Sequence, residues 1–354
     1  MVDTHLDTEL PAAPIELAVE RSLRYSWLAT LLVPLGSVVL YVALGVMTES
    51  EAAVRIIGSL IALTLVYFGL DAIAKRVFGA AFETDLWLSI TWLVLVVTSV
   101  IFADLLPLSE SQNPSLTLSE PSRARPDLFS AHPLGTDTQA LDILGGVIYG
   151  ARVSLQVSIF AVSVGMLIGG LIGVASGFFG GRTDGVIGIL ADSVLAFPPL
   201  ILLLAVVTAF APGVLTISMA LALLGVPTYV RLARANTLAF AQREFVLAAR
   251  AMGAKPWRII IRELVPNVVR PLLSFSFIIV AVLIVAEASL SFLGVGIQRP
   301  TPTWGNMISA GQGEIETTPH IVFVPGMVMF TTVFCLNRVG DKARAMWDPK
   351  QSSL

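Results

Sequence analysis

The sequence predicts an all-α fold, a polytopic transmembrane helical bundle of about eight spans, and three observations predict it. Of 354 residues, 55% are hydrophobic and only 13% are charged, whereas soluble domains carry about 25% charged residues. Mean hydropathy is +0.83. Apolar stretches long enough to cross roughly 30 Å of hydrocarbon, which takes about 20 residues, recur at 27–47, 55–74, 86–106, 152–178, 184–211, 213–232, 271–293 and 320–338. The sixth and eighth are short and broken by Pro227 and Pro325.

Sidedness follows from lysine and arginine in short loops. Arg21 and Arg24 precede the first span, Lys75 and Arg76 follow the second, and Arg182 lies between the fourth and fifth. Arg231, Arg234, Arg243, Arg250, Lys255, Arg258, Arg262 and Arg270 crowd the stretch after the sixth, against Glu244 and Glu263 alone. Arg338, Lys342, Arg344 and Lys350 close the chain. With eight spans and both termini cytoplasmic, every one of these bases falls on one side. The other side takes Glu49, Glu51, a Pro/Ser-rich loop over 107–150, and the 294–319 loop. This places the chain in a cell membrane as a multi-pass protein, in contact with lipid. The expected organisation is a cytoplasmic tail (1–26), a two-span N-terminal addition (27–80), a core (86–345) with a cytoplasmic loop over 233–268, and a C-terminal tail (346–354). The first apolar run lacks a small-residue cleavage site and reads as an anchor, not a signal peptide.

Within the basic stretch, Arg243 to Asn267 reads as a helix, a glycine and a second helix. Gly253 sits where the first helix needs a left-handed residue beyond its end, which glycine takes without penalty. Pro256 suits the first turn of the next helix, where a missing N–H costs nothing. Pro266 is expected to close the unit, because helix interiors resist its ring. The small pair Ala248 and Ala249 admits close approach of a partner. A charged elbow of this kind, kept between long apolar runs, reads as a docking site for a soluble protein.

Inside the fourth span, Gly165, Gly169, Gly173 and Gly177 recur every four residues, a ladder that permits close helix packing. Charges within spans are few: Asp71, Asp192 and Glu287, with Asp104 near an end. Intramembrane acids are functional candidates by default. Asp192 precedes Phe197-Pro198-Pro199, a proline pair that should kink or open the fifth span. Asp192, Pro198 and Glu287 are therefore candidates for a solute path or gate, with packing as the plainer role.

Other chemistries find no support. There is no G-x-x-x-x-G-K-[ST] phosphate loop, no His/Cys/carboxylate cluster at metal spacing and no G-x-S-x-G elbow. His5, His132 and His320 are scattered, and Cys335 reads as a buried apolar residue. The chain is expected to have no catalytic residues, cofactor, metal or nucleic-acid partner of its own.

The elbow resembles the cytoplasmic E-A-A-x-x-x-G-x(9)-I-x-L-P loop of importer-type ABC-transporter permeases. Ala248, Ala249, Gly253 and Pro266 match at the family's spacing, while Leu247 replaces the glutamate, Glu263 the isoleucine and Val265 the leucine. His132-Pro133-Leu134-Gly135-Thr136-Asp137, with Tyr149 to Leu155, resembles the start of the core in C-type dipeptide/oligopeptide permeases. Glu287 to Gly294, with Pro302, Trp304-Gly305 and Met307-Ile308, resembles their outer loop after the fifth core span. The family usually has Gly-Arg before Asp142, where this chain has Ala140-Leu141.

The resemblance covers about 86–345 and implies a six-span core carrying two extra N-terminal spans. It implies coupling to an ATPase through Glu244, Ala248, Ala249, Gly253, Lys255 and Pro266. It also implies a second homologous permease, two ABC ATPase subunits that bind ATP and magnesium, and an extracytoplasmic solute-binding protein. Di- or oligopeptides are the implied substrates; nickel or another small solute is the alternative within the same type of complex. A stand-alone secondary carrier leaves the elbow unexplained, and a purely structural scaffold confines its role to assembly.

Overall fold

Helices dominate the computed structural model, which describes residues 31–41, 52–79, 82–127, 129–210 and 213–347. The predicted N-terminal tail, Glu49, Glu51 and most of the C-terminal tail lie outside them. Among the described residues there is no strand, only an isolated antiparallel bridge between Thr136 and Asp142. The chain divides into two compact units, Met1–Leu88 and Ser89–Leu354.

The first unit contains α1 (Leu32–Tyr41) and α2 (Ala52–Phe78). Gly36 lets α1 approach α2 closely, since a methyl group there would meet the Ala62 carbonyl oxygen at 2.8 Å. Asp71 is paired with Lys75 one turn on, at 2.8 Å. The remaining helices are α3 (Thr84–Ile101), α4 (Ile143–Phe179), α5 (Gly181–Leu195), α6 (Pro199–Thr208), α7 (Val214–Ala241), α8 (Glu244–Ala251), α9 (Pro256–Ile259), α10 (Val265–Phe292), α11 (Trp304–Ala310) and α12 (His320–Trp347).

Among the described residues five helical runs are long and apolar enough to cross a membrane, or six if the bent pair α5–α6 forms one span. These six fall on the third to eighth expected spans. The expected count of eight is not reached on this criterion. The first expected span falls on α1, whose 10 described residues are too short to cross alone.

Three sequence expectations are corrected. Pro227 and Pro325 do not break their spans: both lie buried inside continuous helices, where tight neighbours hold the ring in place. Pro266 does not close the elbow. A π-helical turn, Ile260–Leu264, runs straight into α10, and Pro266 occupies that helix's first turn. The missing N–H thus falls where the helical register already changes. The expected loop 107–150 ends early, because Asp142 caps α4 by accepting the Gly145 N–H at 2.7 Å.

The core is organised around one seam. At 37 residues α4 is about 55 Å long, and its glycine ladder faces α7 over roughly a third of that length, from Gly165 to Gly177. A methyl group on Gly165 would meet Tyr229 Cδ2 at 3.2 Å, and on Gly169 it would meet Tyr229 Cβ at 2.8 Å. On Gly173 it would meet Ala233 Cβ at 2.7 Å, and on Gly177 the Arg234 carbonyl oxygen at 2.9 Å. Side chains cannot fit here, so backbones touch and dispersion between them supplies the attraction. Tyr229, fully buried, shares a hydrogen bond of 2.7 Å with Ser276 and so links the seam to α10.

At the α10–α11 end, Arg299 reaches Asp137 at 2.8 Å and Arg123 reaches Glu314 at 2.5 Å. These pairs tie the 103–142 segment to the loops around α11. The Glu110 carboxyl accepts the Gln112 and Asn113 N–H groups, which hold it below the ordinary carboxylate range. Ala140 lies in the left-handed region at φ 61°, the position where the resembling family carries glycine.

Two outcomes are expected. Gly173→Val should lower the melting temperature in detergent by the equivalent of about 1–3 kcal/mol, whereas Gly188→Ala, mid-helix with nothing within 4 Å of the added carbon, should raise it by the equivalent of about 0.5–1 kcal/mol. Ala140→Gly should raise stability by about 0.5–1 kcal/mol, since relief of left-handed strain exceeds the extra freedom of the unfolded chain.

Candidate functional site

The elbow follows from local chemistry. Helix α8 ends in a Schellman turn: the Ala254 N–H donates to the Ala249 carbonyl at 3.0 Å, and the Gly253 N–H to Arg250 at 3.0 Å. Gly253 takes φ 75°, as its position in the sequence requires. Lys255 then precedes α9, with Pro256 at its first position.

The underside is anchored. Val246, Ala249, Ile259, Ile260 and Leu264 are buried in the main core. Arg250 lies over the Phe178 ring at 5.3 Å, and Phe179 meets Trp257 edge-on at 6.5 Å. The last turn of α4 therefore braces the elbow directly.

The outer side is free and chemically mixed. Glu244, Ala248, Gly253 and Lys255 are exposed together on it. Beside them stand Leu247, Met252 and Trp257, at 51%, 81% and 66% exposure. Large apolar side chains this open, among Arg250, Lys255 and Arg258, form a surface suited to protein contact. The expected small pair divides: Ala248 faces outward, but Ala249 is buried at 7%, because consecutive helical residues point about 100° apart. Sequence reasoning missed Met252 and Trp257. The signal available was their apolar character inside an otherwise charged stretch.

The path candidates do not converge. Pro198 sits at the break where α5 and α6 bend by 85°, as the proline pair predicts. Asp192, on α5, accepts from Arg231 of α7 at 2.5 Å, and both side chains are more than half exposed. The pair ties α5 to α7 close to the bend. Nearby, Arg234 grips Asp184 with two bonds, and Ser176 of α4 donates to the same carboxylate at 2.6 Å. That second pair escapes the sequence reading because the sixth span is drawn to end at 232, which puts Arg234 in a loop. In fact α7 continues to Ala241.

Glu287 lies elsewhere, fully buried on α10. It accepts from Ser154 of α4 at 2.9 Å and from Ser291 at 2.7 Å, with Thr303 as a further partner. Trp304, beside Thr303, is fully buried and donates to the Val147 carbonyl at 3.1 Å. In this conformation Glu287 joins α4, α10 and α11 and touches no open path. Its carboxyl is a shared acceptor, so Glu287→Leu should cost about 1–3 kcal/mol by stranding buried hydroxyls. Glu287→Gln, which keeps one acceptor, should cost less; thermal unfolding in detergent distinguishes them.

At the start of α4, the Asp142 carboxyl meets His132 Nδ1 at 3.2 Å. Burial pushes that carboxyl up, against the opposing pull of the Gly145 N–H and His132. Among the described residues no group of three His, Cys, Asp or Glu could hold a metal ion.

Comparison with known proteins agrees with this architecture. Residues 165–350 match the model of the family described as binding-protein-dependent transport system inner membrane component. The glutathione transport system permease protein GsiD of Pectobacterium atrosepticum is 38% identical over 224 residues, 63% of this chain and 74% of that protein. The dipeptide transport system permease protein DppC of Alkalihalophilus pseudofirmus is 34% identical over 271 residues, 75% and 87% of the respective chains. A chain of the inward-facing MetNI methionine ABC transporter shares the fold, with a TM-score of 0.50 at 19% identity, covering 58% of this chain and 98% of that one. With its multiple apolar crossings and its braced elbow, the chain belongs to the binding-protein-dependent transport system inner membrane component family, as a multi-pass permease.

Proposed function

We propose that this chain is a permease subunit of an ATP-driven ABC importer and forms, with a second homologous permease, a pathway for di- or oligopeptides. The relatives named for glutathione and dipeptide transport support the substrate class. Two ATPase subunits would bind ATP and magnesium, and an extracytoplasmic binding protein would deliver the peptide. The elbow side is then cytoplasmic, in keeping with its basic character.

The observation that carries this reading is the apolar edge Leu247, Met252 and Trp257, exposed on an elbow whose underside is locked into the core. Leu247, Glu244, Ala248, Gly253 and Lys255 would contact the ATPase, while Ala249 and Pro266 hold the elbow's shape. When the ATPase pair closes, its displacement passes through Trp257 to Phe179 at the end of α4, and through Ile259–Leu264 into α10. Both helices flank α7, so the push reaches the Arg231–Asp192 face and the break at Pro198. The bundle then switches between two arrangements, driven by the different affinity of each for the closed ATPase.

Uptake of labelled dipeptide into proteoliposomes containing the whole complex tests this. Trp257→Ala should reduce ATP-dependent uptake more than tenfold, as loss of a buried interface aromatic does. Gly253→Val should do the same, because a β-branched residue resists positive φ, and neither variant should alter membrane insertion. Near-normal uptake in both would remove the elbow from the mechanism. Transport by the chain alone, without ATPase or ATP, would make it a carrier instead.

A further inference from the structure

The elbow end of the bundle holds a cleft that shares only Glu244 with the proposed ATPase contacts. It has a volume of about 690 Å³ and opens between the end of α7, the start of α8, the first turns of α10 and the last residue of α12. Arg243 and Arg270 line it, with Asn267 between them in the wall and Glu244 at one side. Among the described residues, neither arginine lies within ion-pair distance of a carboxylate. That contrasts with Arg231 and Arg234 on α7, each of which has its own aspartate.

A second cleft, of about 280 Å³, shares Phe240, Pro271 and Trp347 with the first and continues between α7, α10 and α12. Beyond the shared residues its walls carry Leu232 and Phe275 together with Asn236 and Ser274, and Arg344 lies over the Phe275 ring at 5.5 Å. Counting both clefts, three arginines face one glutamate. The combined shape is a basic chamber at the helix ends that opens into an apolar groove running along the helices.

We propose that this double cleft binds an anionic phospholipid, with the phosphodiester held between Arg243 and Arg270 and an acyl chain laid along Leu232, Phe240 and Phe275. Guanidinium groups bind phosphate through paired hydrogen bonds. Trp347 lines both clefts, and indoles favour the boundary between headgroups and hydrocarbon. A free phosphate or a soluble peptide would use the chamber and leave the apolar groove empty. A zwitterionic lipid offers the same phosphodiester but adds a cationic choline, which the arginines repel. Only an anionic lipid matches both parts. The site rests on the chain crossing a membrane and is independent of what it transports.

Native mass spectrometry of the full-length protein, purified with its accompanying subunits and stripped of lipid in a neutral detergent, tests this. Phosphatidylglycerol, phosphatidylcholine of equal chain length, and inorganic phosphate are titrated separately. Phosphatidylglycerol should be retained preferentially. The double variant R243Q/R270Q should lose roughly 30-fold in apparent affinity for it and less for phosphatidylcholine, so that the preference between the two lipids shrinks. Equal retention of the two lipids by the unmodified protein would overturn the proposal without recourse to any variant. So would an unchanged affinity in the double variant, or displacement of phosphatidylglycerol by equimolar phosphate, which would mark a site for a free anion.

Discussion

The seam between α4 and α7 is the constraint on which the rest depends. Lipid offers no hydrophobic drive between helices, so association must come from close contact. Four glycines on α4 bring the two backbones together from Gly165 to Gly177. That closeness aligns the end of α4 with the last turns of α7. Ser176 thereby shares the Asp184 carboxylate with Arg234, and Phe178 and Phe179 arrive beneath the elbow. A bulkier ladder would separate these groups by the width of a side chain and leave the elbow without its brace.

The two ends of the bundle are built on different principles. At the α11 end, three buried carboxylates are satisfied internally: Glu287 by Ser154, Ser291 and Thr303, Asp142 by a backbone N–H and a histidine, Asp137 by Arg299. At the elbow end, Arg243, Arg270, Leu247, Met252 and Trp257 stand open. The proposed coupling would draw on both, one end holding its shape while the other receives force from the ATPase. The broken span α5–α6 lies between these regimes, with its exposed Asp192–Arg231 pair on one side of the bend.

Much of this was legible in the residues. Gly253 and Pro256 announce a helix end and a helix start through φ alone, so the turn at 253–256 needed no tertiary information. The four-residue glycine period marked a packing face, and Pro198-Pro199 marked the bend. Local rules failed where packing overrode them. Pro266, Pro227 and Pro325 read as breakers, yet neighbouring helices and a π-helical turn hold each within a continuous run. Ala248 and Ala249 look alike as letters, and only the rotation of α8 against the core separates an outward residue from an inward one.

By itself the sequence determined the class of molecule, the order of its main crossings and the place of the elbow. Those properties depend on apolar length and on single-residue backbone preference, both of which act locally. Tertiary structure alone decided which acids meet which bases, that Glu287 is sealed in while Asp192 stays open, and that Arg243 and Arg270 share one cleft. Those outcomes join residues far apart in the chain, and a pairing at long range is set by how helices pack, not by the side chains considered one at a time.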